Sequence, residues 1–186
     1  AIAKVCQDHG LKFHLDGARL FNALVETKET PLDYGRIFDS ISICISKGLG
    51  APVGSVLIGS KEFIWKSRRI RKVYGGGMRQ AGYLAAACIY ALDNHVERLR
   101  DDNAKARKLE QILLSLPYVD SVIPVQSNLV FFKLKPEMPE KTFLQKLQDQ
   151  DIYAMALAPQ EVRFVTHLDI TDEMMQKVEK VLKELV

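Results

Sequence analysis

A strictly alternating segment, Ser-Ile-Ser-Ile-Cys-Ile-Ser at residues 40–46, is the feature that most limits the fold of this chain. Successive side chains of a strand point to opposite faces of a sheet, so this alternation predicts a strand with one apolar face. Two more strands are predicted at residues 12–15 and 54–59, and a helix at 18–25 follows the first of them. Strands separated by helical stretches indicate an α/β layer, in which sites form at the carboxyl ends of strands.

Three helical segments are predicted after the third strand. A basic one covers residues 61–72, and the glycines at 75–77 separate it from an alanine-rich apolar one at 79–92. A helix of that apolar composition is expected in a core or an interface. Residues 94–116 are charged but keep apolar positions at helical spacing, which is typical of a long connector helix between domains.

The residues after 116 predict a small α+β domain. Its strands are expected at 119–125, 128–134, 152–155 and 162–166, with a helix at 140–148 and another at the end of the chain. Thr171 is the predicted N-cap of the final helix, because Asp172 and Glu173 follow it in the first turn. The apolar face of this helix is expected to consist of Met174, Val178, Val181 and Leu185.

The composition limits the partners that the chain can have. Its 26 lysines and arginines stand against 23 acidic residues, a formal net charge of +3, so no electrostatic reason favours a nucleic-acid or membrane partner. The longest apolar stretches are shorter than the roughly 18 residues that a membrane helix needs. Cys6, Cys44 and Cys88 lie far apart without CxxC spacing, which indicates reduced thiols in a cytoplasmic protein and no metal site.

The first ten residues have the pattern of a helix end. They start without a methionine and place Ile2, Val5 and Cys6 at helical spacing before a glycine stop at Gly10. This is the pattern of neither a signal peptide nor an ordinary chain start. We therefore expect the sequence to be the C-terminal part of a longer protein.

Lys47 is a candidate nucleophile. It follows the alternating strand directly, and Gly48, Gly50 and Gly54 allow a close backbone approach around it. An amine held in a pocket can attack a carbonyl, but the ordinary lysine pKa of about 10.4 must then be lowered by desolvation or by a cationic neighbour. The alternative is an exposed lysine in a common strand-to-loop turn.

Asp16 and Arg19 form a second candidate group, in the segment His-Leu-Asp-Gly-Ala-Arg. A carboxylate at a strand end can keep a pyridine nitrogen protonated, and an arginine can bind a carboxylate through two parallel hydrogen bonds. Alternatively, Asp16 is the N-cap of the next helix and Arg19 belongs to its solvated face. His14 shares the strand face of Asp16 and is expected to make a supporting hydrogen bond, with a place in the lining of the site as the alternative.

A third group combines the basic run at residues 68–72 with the glycine-rich segment that ends in Arg79. A basic run can contact nucleic-acid phosphates, but this one lacks interleaved aromatic residues and a recognised nucleic-acid fold. A glycine-rich break that leads into a helix is better suited to a single phosphate group.

Taken together, these segments resemble one enzyme family. Its motifs are Ser-Lys-Gly-Leu-Gly-Ala-Pro-Val-Gly-Ser at 46–55, His-Leu-Asp-Gly-Ala-Arg-Leu-Phe-Asn-Ala at 14–23, Gly-Gly-Gly-Met-Arg-Gln-Ala-Gly at 75–82 and Val-Arg-Phe-Val-Thr-His-Leu-Asp at 162–169. In this order and at these separations they resemble the low-specificity L-threonine aldolases, which are pyridoxal-phosphate (PLP) enzymes of the aspartate-aminotransferase-like type I fold.

The resemblance implies a fold class and a division of the chain. Residues 1–93 would be the C-terminal part of the large PLP-binding α/β domain of a type I PLP-dependent transferase-like fold. Residues 94–116 would be the connector helix, and residues 117–186 the small C-terminal α+β domain.

The resemblance also implies roles for individual residues. Lys47 corresponds to the lysine that binds PLP covalently, and Asp16 to the carboxylate that pairs with the protonated ring nitrogen. Arg19 and Arg163 correspond to arginines that bind the substrate carboxylate.

Two further cations are implied as ligands of the cofactor phosphate. Lys72 and Arg79 fall where the family places such cations, which act across a subunit interface. Arg68, Arg69 and Arg71 compete with Lys72 for this role.

The activity that the resemblance implies is retro-aldol cleavage of L-threonine or L-allo-threonine to glycine and an aldehyde, in a homo-oligomer built as a dimer of dimers. Family subunits are longer and begin with a segment that supplies a phosphate-binding turn, a histidine stacked on the cofactor and groups that act on the β-hydroxyl. That segment, on the same or a separate chain, is therefore an expected partner. We expect the 186-residue chain alone to bind PLP weakly and to turn over little substrate.

Other interpretations stay open at this point. Lys47, Asp16 and Arg19 would serve another type I activity equally well, such as a β-eliminating lyase, a racemase or an aminotransferase. The chain could also be an inactive fragment or a non-catalytic assembly module.

Overall fold

The computed structural model describes residues 1–185. They form two compact units, Ala1–Glu97 and the residues from Arg98 onward. The first unit contains α1 (Ile2–Asp8), β1 (His14–Asp16), α2 (Leu20–Leu24), α3 (Pro31–Ile37), β2 (Ser40–Cys44), β3 (Ser55–Gly59), α4 (Lys61–Val73) and α5 (Gly82–Asn94). The second contains α6 (Leu99–Leu114), β4 (Val119–Val122), β5 (Leu129–Leu134), α7 (Glu140–Gln148), β6 (Met155–Ala158), β7 (Glu161–Val165) and α8 (Asp172–Glu184).

The sheet of the first unit has the order β1-β2-β3. Strands β1 and β2 are parallel, with Asp16 opposite Ser42, and the segment with α2 and α3 connects them. Strand β3 runs antiparallel to β2, because the residues at 45–54 between them are too few for a crossover connection. The predicted α/β layer is confirmed, and the sheet is mixed.

The alternation of β2 is realised as predicted. Ile41, Ile43 and Ile45 are buried, whereas Ser40 and Ser42 on the other face are half-buried. Burial of these three isoleucines fixes the register of the strand, because a shift by one residue would expose all of them.

Helix α3 was not predicted, although its N-terminus carries a clear signal. The Thr30 side chain accepts a hydrogen bond from the Asp33 backbone, Asp33 accepts one from the Thr30 backbone, and Pro31 occupies the first turn. This capping box satisfies backbone donors that the helix leaves unpaired. The hydrogen bonds from Thr30 lower the pKa of Asp33.

Much of the apolar surface of the first unit is exposed. All five residues of β3 are exposed, and Ala91 is the one residue of α5 buried within the described chain. Tyr83 and Ile89 of that helix face solvent. The alanine-rich helix therefore does not lie in the core of this unit, and its place in an interface stays a prediction. Among residues 1–185, no helix combines the length and the apolar character that crossing a membrane requires.

The second unit is a four-stranded antiparallel sheet of order β4-β5-β7-β6. Helices α6, α7 and α8 supply side chains to one core with the inward residues of β5 and β7. Phe143 is fully buried at its centre, with ring centroids 5.8 Å from Phe132 and 6.0 Å from Tyr118. Since residues alternate along a strand, the opposite sheet face lies away from these helices.

Several predicted elements differ in their limits. The helix expected to span residues 94–116 begins at Leu99, and its buried side belongs to the core of the second unit. The strand expected at 152–155 lies at Met155–Ala158. In α8 the predicted cap Thr171 accepts from the Met174 backbone at 3.2 Å, but Met174 itself is exposed. The buried side of α8 consists of Met175, Val181 and Leu182.

The three cysteines form no disulfide within the described residues. The apolar residues around Cys44 and Cys88 in the sequence predict buried core thiols, but all three cysteines are only half-buried, so that prediction is wrong. The thiol of Cys44 accepts a hydrogen bond from the Ser55 hydroxyl at 3.4 Å.

Asp39 joins the beginnings of the two parallel strands. Its carboxylate accepts from Lys12 Nζ at 2.7 Å and from the Phe13 backbone at 2.9 Å. The Lys12 hydrogen bond, followed by the Phe13 hydrogen bond, holds the pKa of Asp39 below its ordinary value of 3.8, and the same contact raises the pKa of Lys12.

We expect Asp39→Asn to reduce the stability of the full-length protein at neutral pH and to flatten its acid dependence. A depressed folded-state pKa contributes stability above the unfolded-state value of about 4 and loses it as the pH falls through the folded-state value. Urea unfolding at a series of pH values measures this contribution. The control is Asp8→Asn, which removes an exposed ion pair with Lys4. An unchanged pH dependence below about pH 4 in Asp39→Asn would contradict the assignment.

Candidate active site

Asp16 is the last residue of β1 and its side chain is exposed. One carboxylate oxygen accepts from the Ala18 backbone at 3.2 Å. The following helix begins at Leu20, with Arg19 as its N-cap residue, so Asp16 does not cap it. This excludes the helix-cap interpretation of Asp16 and leaves a carboxylate available at the end of the strand.

Gly17 allows the two strands to approach closely directly after Asp16. Its backbone N–H donates to the Ser42 carbonyl at 2.8 Å, which extends the pairing of β1 with β2 by one residue. A Cβ atom at this position would lie 2.9 Å from the Ser42 oxygen and 3.3 Å from an Ile41 methyl. A glycine is therefore required for this close approach of the two strands.

Lys47 lies in a turn three residues beyond β2, and its side chain is exposed. The Lys47 carbonyl accepts from the Gly50 backbone at 2.8 Å, and the Ile45 carbonyl accepts from the Ala51 backbone at 3.1 Å. Ile45 and Leu49 are buried on either side of the lysine. The turn thus has an ordered backbone with a buried anchor, and the amine extends from it into solvent.

The parallel pairing brings Asp16 and the Lys47 turn to the same edge of the sheet. Both follow the carboxyl ends of neighbouring strands, as the sequence predicts. This edge therefore carries a carboxylate and a primary amine, whose chemistry suits a protonated ring nitrogen and an aldehyde respectively.

His95 supports the lysine turn and was not predicted. Its Nδ1 lies 2.7 Å from the Leu49 carbonyl, and its ring meets Tyr90 edge to face at 5.5 Å. Since a carbonyl only accepts, Nδ1 must carry the proton. Forty-six positions separate the two residues, and no local pattern in the sequence could reveal such a contact.

Arg19 and His14, the other site candidates near Asp16, differ in how far they are exposed to solvent. Arg19 is half-buried, and His14 is exposed with its Nδ1 2.8 Å from the Ser40 hydroxyl. The hydrogen bond expected of His14 is therefore made to a residue of the neighbouring strand β2.

Lys72 and Arg79 lie on either side of the glycine-rich segment. Lys72 Nζ donates to the Gly77 carbonyl at 3.4 Å, and Gly77 packs directly on the Lys72 side chain. The prediction that Arg79 begins the next helix is wrong, because Gln80 has a positive φ of 53° and the helix starts at Gly82. Arg79 is exposed in the connection before that helix.

The hydrogen bond to Gly77, and not packing alone, distinguishes Lys72 from the competing arginines, because the Arg71 side chain also packs on Gly76. Arg68, Arg69 and Arg71 are also exposed on α4, so exposure alone does not separate the four cations. Only the Lys72 side chain, among these residues of the described chain, has a hydrogen bond to the glycine-rich segment. The assignment of a phosphate-binding role to Lys72 and Arg79 stays a prediction.

Arg163 belongs to the second unit, where it lies in the middle of β7. Its strand neighbours are Phe131 on β5 and Met155 on β6. The guanidinium is half-buried and its Nη2 donates to the Met155 sulfur at 3.4 Å, while Nε is buried without a hydrogen-bond partner among residues 1–185. Its donors are thus incompletely used by the described residues.

A family model described as beta-eliminating lyase matches residues 1–135. This match covers more than half of the chain and all the site residues of the first unit. The chain belongs to the beta-eliminating lyase family.

Individual proteins that are similar to this chain carry more specific names than the family. The chain is 41% identical over 175 residues to the probable low-specificity L-threonine aldolase 2 of Arabidopsis thaliana, which covers 92% of this chain and 49% of the relative. It is 39% identical over 173 residues to the low specificity L-threonine aldolase of Escherichia coli K12, with coverage of 92% and 50%. The predicted resemblance is confirmed, and the chain spans about half the length of these relatives.

A solved structure supports the fold. The threonine aldolase of Leishmania major superposes with a TM-score of 0.82 and 25% identity over 99% of this chain and 54% of its own. The predicted type I PLP-dependent transferase-like fold class is therefore confirmed for this member of the beta-eliminating lyase family.

We expect His95→Phe to loosen the lysine turn. Phenylalanine keeps the ring but removes the donor to Leu49, and an unsatisfied, partly buried carbonyl costs about 1–3 kcal/mol. Urea unfolding of the full-length protein measures the loss, and hydrogen exchange should become faster at the Gly50 and Ala51 amides. His9→Phe, at an exposed position, is the control and should change little. Unaltered exchange in the turn would contradict the bracing role of His95.

Proposed function

We propose that this chain is the lysine-bearing part of a PLP-dependent threonine aldolase, which cleaves β-hydroxy-α-amino acids such as L-threonine and L-allo-threonine to glycine and an aldehyde. The observation that carries this proposal is the shared sheet edge, where the Asp16 carboxylate and the Lys47 amine follow neighbouring parallel strands. The names of the relatives support the choice of reaction.

The chemistry of the exposed side chains fits PLP. Lys47 offers a primary amine for the cofactor aldehyde, and Asp16 offers a carboxylate for the ring nitrogen. Lys72 and Arg79 are cations beside a glycine-rich segment and suit the phosphate. When bound, PLP would withdraw electrons from the substrate carbon whose bond is broken.

Arg19 and Arg163 are proposed to bind the substrate carboxylate. A guanidinium presents donors in a planar fork that matches a carboxylate, so it fixes the orientation of an amino acid as well as its position. Orientation matters for this reaction class, since the protein must align the Cα–Cβ bond, and not another bond of Cα, for cleavage.

The proposed partner of the first unit is the remainder of the polypeptide found in its relatives. The chain spans about half their length, and β3 exposes Val56, Leu57 and Ile58 at an unpaired edge of the described sheet. A long apolar edge strand is a template for further pairing. We also propose that the protein assembles as a dimer of dimers. A cytoplasmic location is proposed as well, and the three cysteines, which form no disulfide among the described residues, support it.

Borohydride reduction of the full-length protein with PLP tests the role of Lys47. We expect the cofactor to become attached to the peptide that contains Lys47, and Lys47→Ala to lose this label together with all but a trace of the activity. Lys61→Ala, at an exposed lysine on α4, is the control and should keep the label. Labelling at other lysines only would contradict the proposed cofactor site and favour an assembly module.

Product analysis with L-threonine separates the reaction classes. A threonine aldolase releases glycine and acetaldehyde in equal amounts, whereas β-elimination releases an oxo acid and ammonia. We expect the first pair of products from the full-length protein with PLP. Ammonia and an oxo acid as the main products would assign the family's other chemistry to this protein instead.

A further inference from the structure

The surroundings of Arg163 are apolar on both sides within its sheet. Val162 and Phe164 point into the core, so Arg163 lies on the opposite face, directly between Phe131 and Met155 of the adjoining strands. Among residues 1–185 no carboxylate forms an ion pair with it, and its recorded acceptor is the Met155 sulfur at 3.4 Å. The guanidinium is held by a neighbour that does not neutralise its charge.

A thioether is a weak hydrogen-bond acceptor, whereas a carboxylate forms short, charge-assisted hydrogen bonds with a guanidinium. A carboxylate that approaches Arg163 can therefore displace the sulfur from Nη2 at small cost. The buried Nε atom has no partner in the described chain, and it could donate to such an anion only after the side chain moves to uncover it.

We propose that Met155 is a positioning residue for Arg163, which orients the guanidinium with an acceptor weak enough to yield to the substrate carboxylate. This inference rests on the proposed function, in which Arg163 binds an amino-acid carboxylate. The thioether thereby tunes substrate affinity while leaving the cofactor-binding residues of the first unit untouched.

Two substitutions at Met155 separate two effects, the orientation of the Arg163 guanidinium and the competition of residue 155 with the substrate carboxylate for Nη2. Met155→Gln is close to isosteric but places an amide oxygen, a strong acceptor, where the sulfur was. It should engage Nη2 permanently and raise KM for L-threonine about tenfold, the equivalent of one net hydrogen bond, with kcat changed less than about twofold. Met155→Leu has no acceptor, so it should raise KM only about two- to threefold through lost orientation.

Comparison of L-threonine with ethanolamine, an amine that lacks a carboxylate, separates a specific effect on carboxylate binding from a general structural defect, which would weaken the binding of both. We expect Met155→Gln to weaken the binding of L-threonine, measured by the change in cofactor absorbance, and to leave the binding of ethanolamine unchanged. Leu157→Gln is the matched control, because Leu157 lies on the same strand with 47% exposure against 53% for Met155. It should affect neither ligand.

The outcomes distinguish this inference from the proposed function. Equal KM values for Met155→Gln and Met155→Leu, or equal weakening of threonine and ethanolamine, would overturn the positioning role. If Arg163→Gln fails to weaken threonine binding relative to ethanolamine, the carboxylate-binding role of Arg163 is wrong, and the inference fails with it. Melting curves identify a variant that does not fold, and the remaining Met155 variant then decides by its threonine-to-ethanolamine ratio.

Discussion

The parallel pairing of β1 with β2 is the interaction on which the candidate site depends. It places Asp16 opposite Ser42, and Gly17 continues the pairing at a distance that admits no side chain. The carboxyl ends of both strands therefore meet at one edge, where the Lys47 turn also begins. A carboxylate and an amine that are distant in sequence come to the same edge of the sheet because two backbones pair in register.

The turn that follows β2 holds the backbone of Lys47 in a fixed position at the end of this strand. Backbone hydrogen bonds close it from Ile45 to Ala51, two apolar side chains anchor it, and His95 holds its Leu49 carbonyl. Such a turn limits the conformations that the Lys47 backbone adopts, while the side chain itself stays exposed. Rigid support of a reactive group reduces the entropy that must be lost when it reacts.

Features encoded by local patterns could be predicted from the sequence. The alternation of β2 and the cap at Thr171 agree with the structure, since each rests on neighbouring residues, and the order of strands and helices agrees apart from α3, whose capping box at Thr30 was overlooked. Contacts between distant residues, such as His95 with Leu49, have no local signal. The start of α5 was misplaced because Gln80 adopts a left-handed conformation that its residue type does not require.

The two units differ in how completely each buries its apolar residues. The second unit has a closed core around Phe143, whereas the first leaves β3 and most of α5 exposed. The proposed cofactor residues Asp16 and Lys47 lie on the first unit. The stability of the sheet that carries them therefore depends on burial of its exposed apolar faces. Arg163 and Met155 lie on a sheet with its own core. Removal of the polypeptide that we propose to cover the first unit should therefore weaken the proposed cofactor binding before it disturbs the geometry around Arg163.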